Sequence, residues 1–299
     1  MVFGDYQDVF DKAQKDYFQK WGWKRNSFTD ASFPGESTYV NKDAQAVAEM
    51  VKSMESEQGS IIIIRGEVGI GKSNFAELAI SSVQGYETCY VQDPGINTPL
   101  GVLGEIGLQL GLDIGKIPYR TSDTLEALRR KIIEKYVKEG LKTLIIVDEA
   151  QRMVKDLIFL LKSFADIHYN EKEICKIVLV GEQKLIEKLG GEEYEALRDR
   201  VLVDCELDLF SQGQTKEAVM RRLAYNRGIE YTPDMELYPF NNDAVNGIFR
   251  ATGGHPRKVI QLCADLVNYC IEYQQDTIDN ALLEAYTILE PQEATQEAR

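Results

Sequence analysis

The chain has 299 residues, 44% apolar and 27% charged, values ordinary for a soluble globular protein of one large domain or two modest ones. No apolar stretch reaches the ~18 residues of a membrane helix, the first residues carry acids and no apolar h-region, and the five scattered cysteines form no C-x-x-C pair. A reduced, cytoplasmic protein without a membrane segment is therefore expected, and the net charge of −14 argues against a body coated in phosphate-binding positive charge, while leaving room for a local basic strip.

Taken in chain order, the spacing predicts a helix over Asp5–Lys20, an aromatic segment from Trp21 to Phe28 and a break at Pro34-Gly35. Asp43–Met54 has helical spacing. A strand at Ile61–Ile64 leads into a glycine-rich stretch and a helix over Ser73–Ser81. Thr88–Val91 reads as a short strand and Pro99–Leu110 as a helix. Asp123 opens a further helix, with Glu126 completing a capping-box pattern and Gly140 closing it. Thr143–Val147 is a continuous apolar run, the pattern of a strand buried on both faces of a parallel sheet. A helix over Lys155–His168 follows, with His168 capping its end, then a buried strand at Lys176–Gly181, a helix at Lys184–Lys188 and a last short strand at Arg198–Glu206. Strands alternating with helices at this spacing predict an α/β fold with a doubly wound parallel sheet. Past Phe210 only helical patterns remain, at Thr215–Asn226, Asn242–Thr252, Arg257–Tyr273 and Asp276–Leu289.

The glycine-rich stretch is Gly66-Glu67-Val68-Gly69-Ile70-Gly71-Lys72-Ser73, a complete G-x-x-x-x-G-K-S loop between a strand and a helix. Such a turn presents successive backbone N–H groups to phosphate oxygens, and the helix N-terminus adds partial positive charge. Lys72 can reach the β- and γ-phosphates, and the Ser73 hydroxyl can ligate Mg²⁺. The run from Gly66 to Asn74 is thus the candidate cradle for ATP. Asp148 and Glu149 end a buried strand, where open parallel sheets place their ligands. Asp148 can hold the Mg²⁺ that bridges the phosphates, and Glu149 can polarise a water for in-line attack. A guanidinium group can match two equatorial phosphoryl oxygens at once, so an arginine brought to the γ-phosphate would stabilise its transfer. His255 reads as a turn residue.

Phosphate loop, Asp148-Glu149-Ala150-Gln151 and a following helical domain together resemble the AAA+ ATPases over residues ~34–290. Within them the chain looks most like the branch holding the ExeA-type ATPases, the transposition regulators of the TniB and TnsC kind and the archaeal origin-recognition ATPases. Val178–Leu185 resembles the strand bearing the first sensor, Leu197-Arg198-Asp199-Arg200-Val201 the segment carrying an arginine finger, and Phe210-Ser211-Gln212 with Arg221-Arg222-Leu223 the entry to the lid. Ala251–Arg257 resembles the second-sensor motif, and Tyr39–Asp43, with Val40, sits where such proteins bring backbone to the adenine. The resemblance thus makes Arg257 a candidate to act within its own subunit, and Arg198 or Arg200 on a neighbour's nucleotide. One departure concerns the first sensor, usually a small polar residue. Here Gln183 can bond a water or the γ-phosphate, whereas Glu182 would repel it unless turned away.

The resemblance implies a P-loop nucleotide-binding core at 34–210 and makes the all-helical stretch at 211–290 a smaller lid domain; the residues themselves read as a helical and aromatic element at 1–33 and a polar, flexible tail at 291–299. It implies an ATPase that binds ATP and Mg²⁺ at subunit interfaces and assembles head-to-tail as a ring or helical filament. Two kinds of client stay open. One is duplex DNA, with a role in regulating transposition or replication initiation and a transposase or initiator as partner protein. The basic groups for it are Arg129-Arg130-Lys131 and the lysines between Lys12 and Lys24, interleaved with aromatics that could stack bases. Asp5, Asp8, Asp11 and Asp16 nearly cancel that charge, so the N-terminal element reads in preference as an amphipathic piece docking on its own or a neighbouring core, and any DNA contact is expected from the ATPase body. The other kind is a protein complex whose assembly an ExeA-like ATPase drives without DNA.

Overall fold

The computed structural model describes residues 3–29, 48–54, 59–117 and 120–289, with side chains described from residue 9. It divides into two compact units, Lys42–Asp208 and a second made of Met1–Asn41 with Leu209–Arg299. The chain opens with α1 (Phe3–Trp21) of the second unit. Of the helix expected over Asp43–Met54, residues 48–54 are described and helical.

The first unit is built on β1 (Ile61–Arg65), α2 (Lys72–Ser81), β2 (Tyr86–Val91), α3 (Pro99–Gln109), α4 (Thr121–Glu139), β3 (Lys142–Val147), α5 (Lys155–Ala165), β4 (His168–Tyr169), β5 (Lys172–Glu173), β6 (Cys175–Gly181), α6 (Gln183–Leu189), α7 (Glu195–Arg198) and β7 (Val201–Glu206). Five strands form one parallel sheet in the order β2-β3-β6-β1-β7, flanked by helices. The apolar runs explain why β3, β6 and β1 are central: all seven residues of β6 and Ile61–Ile64 of β1 are buried, so these strands have no polar face to give to water. Parallel register sets Ile63 beside Leu179 and Leu179 beside Val147, which brings the carboxyl ends of β3, β6 and β1 together at one edge.

Several boundaries differ from the sequence expectation. α5 stops at Ala165, and His168 does not cap it. Asn170 and Glu171 take left-handed backbone (φ 50 and 66) and turn the chain into the small β4–β5 hairpin, a primed turn formed without glycine. There His168 Nδ1 lies 2.9 Å from the Asp166 carbonyl oxygen. α4 begins at Thr121, with Arg120 at its N-cap and no side-chain cap, so Asp123 and Glu126 form no capping box; Asp123 instead places its charge in the first turn. Residues 198–200 are not strand: Asp199 N donates to Glu195 O (3.0 Å) and Arg200 N to Leu197 O (3.0 Å), and β7 starts at Val201.

The second unit adds α8 (Gln212–Arg227), α9 (Asn242–Thr252), α10 (Pro256–Glu272) and α11 (Asn280–Leu289) to α1. Ser211 and Gln214 form a reciprocal capping box at the start of α8. α11 starts later than Asp276, because Ile278 bridges to Phe240 and the Asp279 carboxylate accepts from Leu282 N at 2.9 Å. Trp21, Trp23 and Phe28 are buried in one core with Leu223, Ile248 and Val267. Asn226, fully buried, holds this segment by accepting from Lys24 N through its carbonyl and from Ser27 N through its side chain, both at 2.7 Å. Of the two readings of Trp21 and Trp23, the favoured docked element holds and base stacking does not: apolar burial has taken both rings. No helix among the described residues is long and apolar enough to cross a membrane.

Candidate functional site

The phosphate loop joins β1 to α2, so β1 delivers it to the carboxyl edge of the sheet. Two glycines are fixed by geometry. Gly71 has φ 99, a left-handed conformation, and a Cβ on Gly66 would stand 2.9 Å from the Leu207 carbonyl oxygen. α2 then starts at Lys72 with neither a side-chain cap nor an acidic residue in its first turn. A first turn without a side-chain cap offers backbone donors and a positive dipole end, the arrangement an anion requires. Lys72 is buried, its ammonium donating to the carbonyls of Gly66 (3.0 Å) and Glu67 (2.8 Å), inside the turn that would hold phosphate. Glu67 and Val68 lie exposed on the loop's rim, Ile70 is buried beneath it, and Asn74 is exposed in the first turn of α2.

Ser73 Oγ donates to Asp148 Oδ2 at 2.5 Å. Two residues far apart in sequence, one from the loop and one from the end of β3, thus share a point at the sheet edge, with oxygens a hard cation accepts. Sequence reading missed a third member. Tyr90 of β2 donates its hydroxyl to the same Oδ2 at 2.8 Å. Burial and the adjoining carboxylate push its phenol well above the ordinary value, so Tyr90 stays a donor and steers the carboxylate. Only the β2–β3 register, which sets Tyr90 beside Ile146, could have revealed it.

Glu149 follows with left-handed backbone (φ 51), its N–H returned to Asp148 Oδ1 at 2.8 Å. Its carboxylate accepts from Gln151 Nε2 at 2.7 Å. At the end of β6, Glu182 is turned toward that same amide, 3.2 Å from Nε2, with Lys184 3.9 Å from its other oxygen. Gln183 Oε1 accepts from Arg65 Nη1 at 2.7 Å, and Arg65 also pairs with Asp204 and Glu206.

Arg198 and Arg200 are bonded within the first unit, away from the phosphate loop. Arg198 donates to the carbonyls of Leu189 (2.5 Å) and Gly191 (2.6 Å). Arg200 pairs with Asp166 at 2.5 Å and precedes β7, at the amino edge of the sheet, opposite the phosphate loop. Arg257 is exposed in the first turn of α10, after the Gly-Gly-His-Pro turn whose Gly254 carbonyl accepts from Phe210 N at 2.9 Å; His255 is the N-cap residue there, as a turn position requires. Val40, with the rest of Tyr39–Asp43, falls outside the described residues.

Comparison with known proteins agrees with this geometry. Residues 54–189 match the family model described as an AAA domain. General secretion pathway protein A of Aeromonas hydrophila is 22% identical over 253 residues, which cover 83% of this chain and 43% of that protein, so the chain spans less than half the length of this relative. Among solved structures, the Aeropyrum pernix ORC2 protein in its ADPNP-ADP complexes matches with a TM-score of 0.65 at 17% identity, over 92% of this chain and 74% of that one. The Aeropyrum pernix ORC1 protein in complex with DNA matches with a TM-score of 0.61 at 13% identity, over 84% and 66%. At such identities the likeness is one of fold.

Proposed function

We propose that this chain, whose residues 54–189 match the AAA-domain model, is an ATPase that binds and hydrolyses Mg-ATP, assembles in an ATP-dependent way into a ring or filament, and acts on duplex DNA. The observation that carries the nucleotide reading is the meeting of Ser73 with Asp148 at 2.5 Å beside an uncapped helix start.

Each residue has a task in this reading. Lys72 exchanges the Gly66 and Glu67 carbonyls for β- and γ-phosphate oxygens, while the amides from Gly66 to Asn74 wrap the phosphates. Ser73 and Asp148 would hold Mg²⁺, which supplies charge neutralisation across the phosphates. Glu149 accepts the proton of the attacking water. Arg198 or Arg200 reaches a neighbour's nucleotide from the edge opposite the loop, and Arg257 binds phosphate from its own chain, so hydrolysis depends on assembly. ATP turnover with Mg²⁺ tests the proposal: Lys72→Ala abolishes nucleotide binding, and Glu149→Gln keeps binding but loses turnover. Turnover unchanged in both variants refutes it.

The DNA client is supported by the fold shared with the Aeropyrum pernix ORC1 protein, solved in complex with DNA. A protein client, as the name of the secretion-pathway relative suggests, is favoured by the net charge of −14 and by the pairing of Arg130 with Glu126 and Lys131 with Glu134. Duplex binding with a non-hydrolysable ATP analogue separates them. A steep loss of affinity with salt supports DNA, and no binding at low salt removes it.

A further inference from the structure

Resting on the ATPase reading, we propose that Gln151 is a positioning residue for Glu149 and couples it to Glu182 at the end of the neighbouring strand. A single side-chain amide bridges two carboxylates: Gln151 Nε2 lies 2.7 Å from Glu149 Oε2 and 3.2 Å from Glu182 Oε1. Its carbonyl oxygen completes the bridge by accepting from Glu182 N at 3.1 Å. The amide thus has both donor and acceptor used, and its orientation is fixed by chemistry.

The surroundings are shaped for this amide. Gly181 precedes Glu182, and a Cβ there would stand 2.8 Å from Gln151 Oε1, a contact carbon does not tolerate, so glycine is what admits the bridge. Lys188 of α6 holds the backbone beneath, donating to the carbonyls of Gln151 and, at 2.9 Å, Met153. Glu149 itself sits at a strand end with left-handed backbone, and the Gln151 amide gives its carboxylate a fixed side-chain donor. Gln151 touches Glu149 and Glu182 rather than the phosphate loop, so its effect falls on the chemical step. Glu182 is the lever: a change at the end of β6 moves the amide, and the amide moves the base.

The test uses the full chain and three substitutions. Gln151→Met keeps length and packing and removes the amide, Gln151→Glu keeps shape and replaces the donor by a third carboxylate, and Gln151→Ala checks folding. The expected result is a kcat lowered about tenfold or more by Met and by Glu, the scale of a misplaced catalytic group. KM and the Kd for a fluorescent ATP analogue stay unchanged. A Gln151→Met variant with full kcat, or one altered only in KM, overturns the proposal. Wild-type protein that hydrolyses no ATP would remove the ATPase reading instead. The double-mutant cycle between Glu149 and Gln151, read by chemical denaturation, then still decides the bridge: non-additive effects sustain it, and additive ones overturn it.

Discussion

Trp23→Ala removes the middle of an aromatic chain that ties the N-terminal segment to the helical core. Trp23 is 5% exposed, with Trp21, Phe18 and Phe28 at ring-centroid distances of 5.0, 5.4 and 6.0 Å. Truncating a buried Trp costs about 3–5 kcal/mol through lost transfer energy and the cavity left behind, and each aromatic pair adds about 0.5–1.5 kcal/mol within that figure. With a urea m-value of about 2 kcal/mol per M, a loss of ~4 kcal/mol lowers the midpoint by about 2 M. The assay is selective, because the chain has two tryptophans, Trp21 and Trp23, both in the helical unit. Fluorescence of the remaining Trp21 follows that unit alone, while circular dichroism follows the whole chain. A midpoint shift below about 0.25 M, the behaviour of a surface site, would refute the docked-segment account. Quenching of native tryptophan fluorescence by single-stranded oligonucleotide would refute it as well.

Three further outcomes are expected. Tyr90→Phe deletes one donor to Asp148, and the apparent Mg²⁺ affinity of ATP turnover falls about tenfold, as for other groups that orient a ligating side chain; titration of activity with Mg²⁺ reads it. Arg200→Ala breaks an ion pair with Asp166 whose side chains are 32% and 41% exposed, so stability drops by no more than about 1 kcal/mol after solvent screening. Its turnover nevertheless collapses and returns on mixing with Lys72→Ala subunits, if Arg200 is the group that crosses to a neighbour. Lys176 is buried, and burial holds its ammonium below the ordinary value of 10.5. The unfolded chain therefore binds more protons between the folded-state pKa and 10.5, and wild-type stability climbs as pH rises through that window. Lys176→Met lacks this slope, which denaturation across alkaline pH checks.

The sheet and the loop were legible because their signals are local. Uninterrupted apolar runs at Ile61–Ile64, Thr143–Val147 and Lys176–Gly181 leave a strand no face for water, and the G-x-x-x-x-G-K-S spacing is set by the turn itself. The β4–β5 hairpin was not legible, since its left-handed turn uses Asn170 and Glu171 where glycine is the usual mark. Tyr90 and Gln151 were missed for another reason. Tyr90 reaches Asp148 across the β2–β3 register, and Gln151 reaches Glu182 across the meeting of β3 and β6; neither distance is written in residue spacing. Trp21 and Trp23 look alike as a stacking platform and as a core, and only the packing against α8–α10 tells which.

Particle size by light scattering addresses the central claim most directly, measured with and without a non-hydrolysable ATP analogue and with and without duplex DNA. The account predicts growth to large particles when the analogue and Mg²⁺ are present, further growth with DNA, and neither in Lys72→Ala. Particles whose size ignores nucleotide, or grows equally in Lys72→Ala, would contradict it.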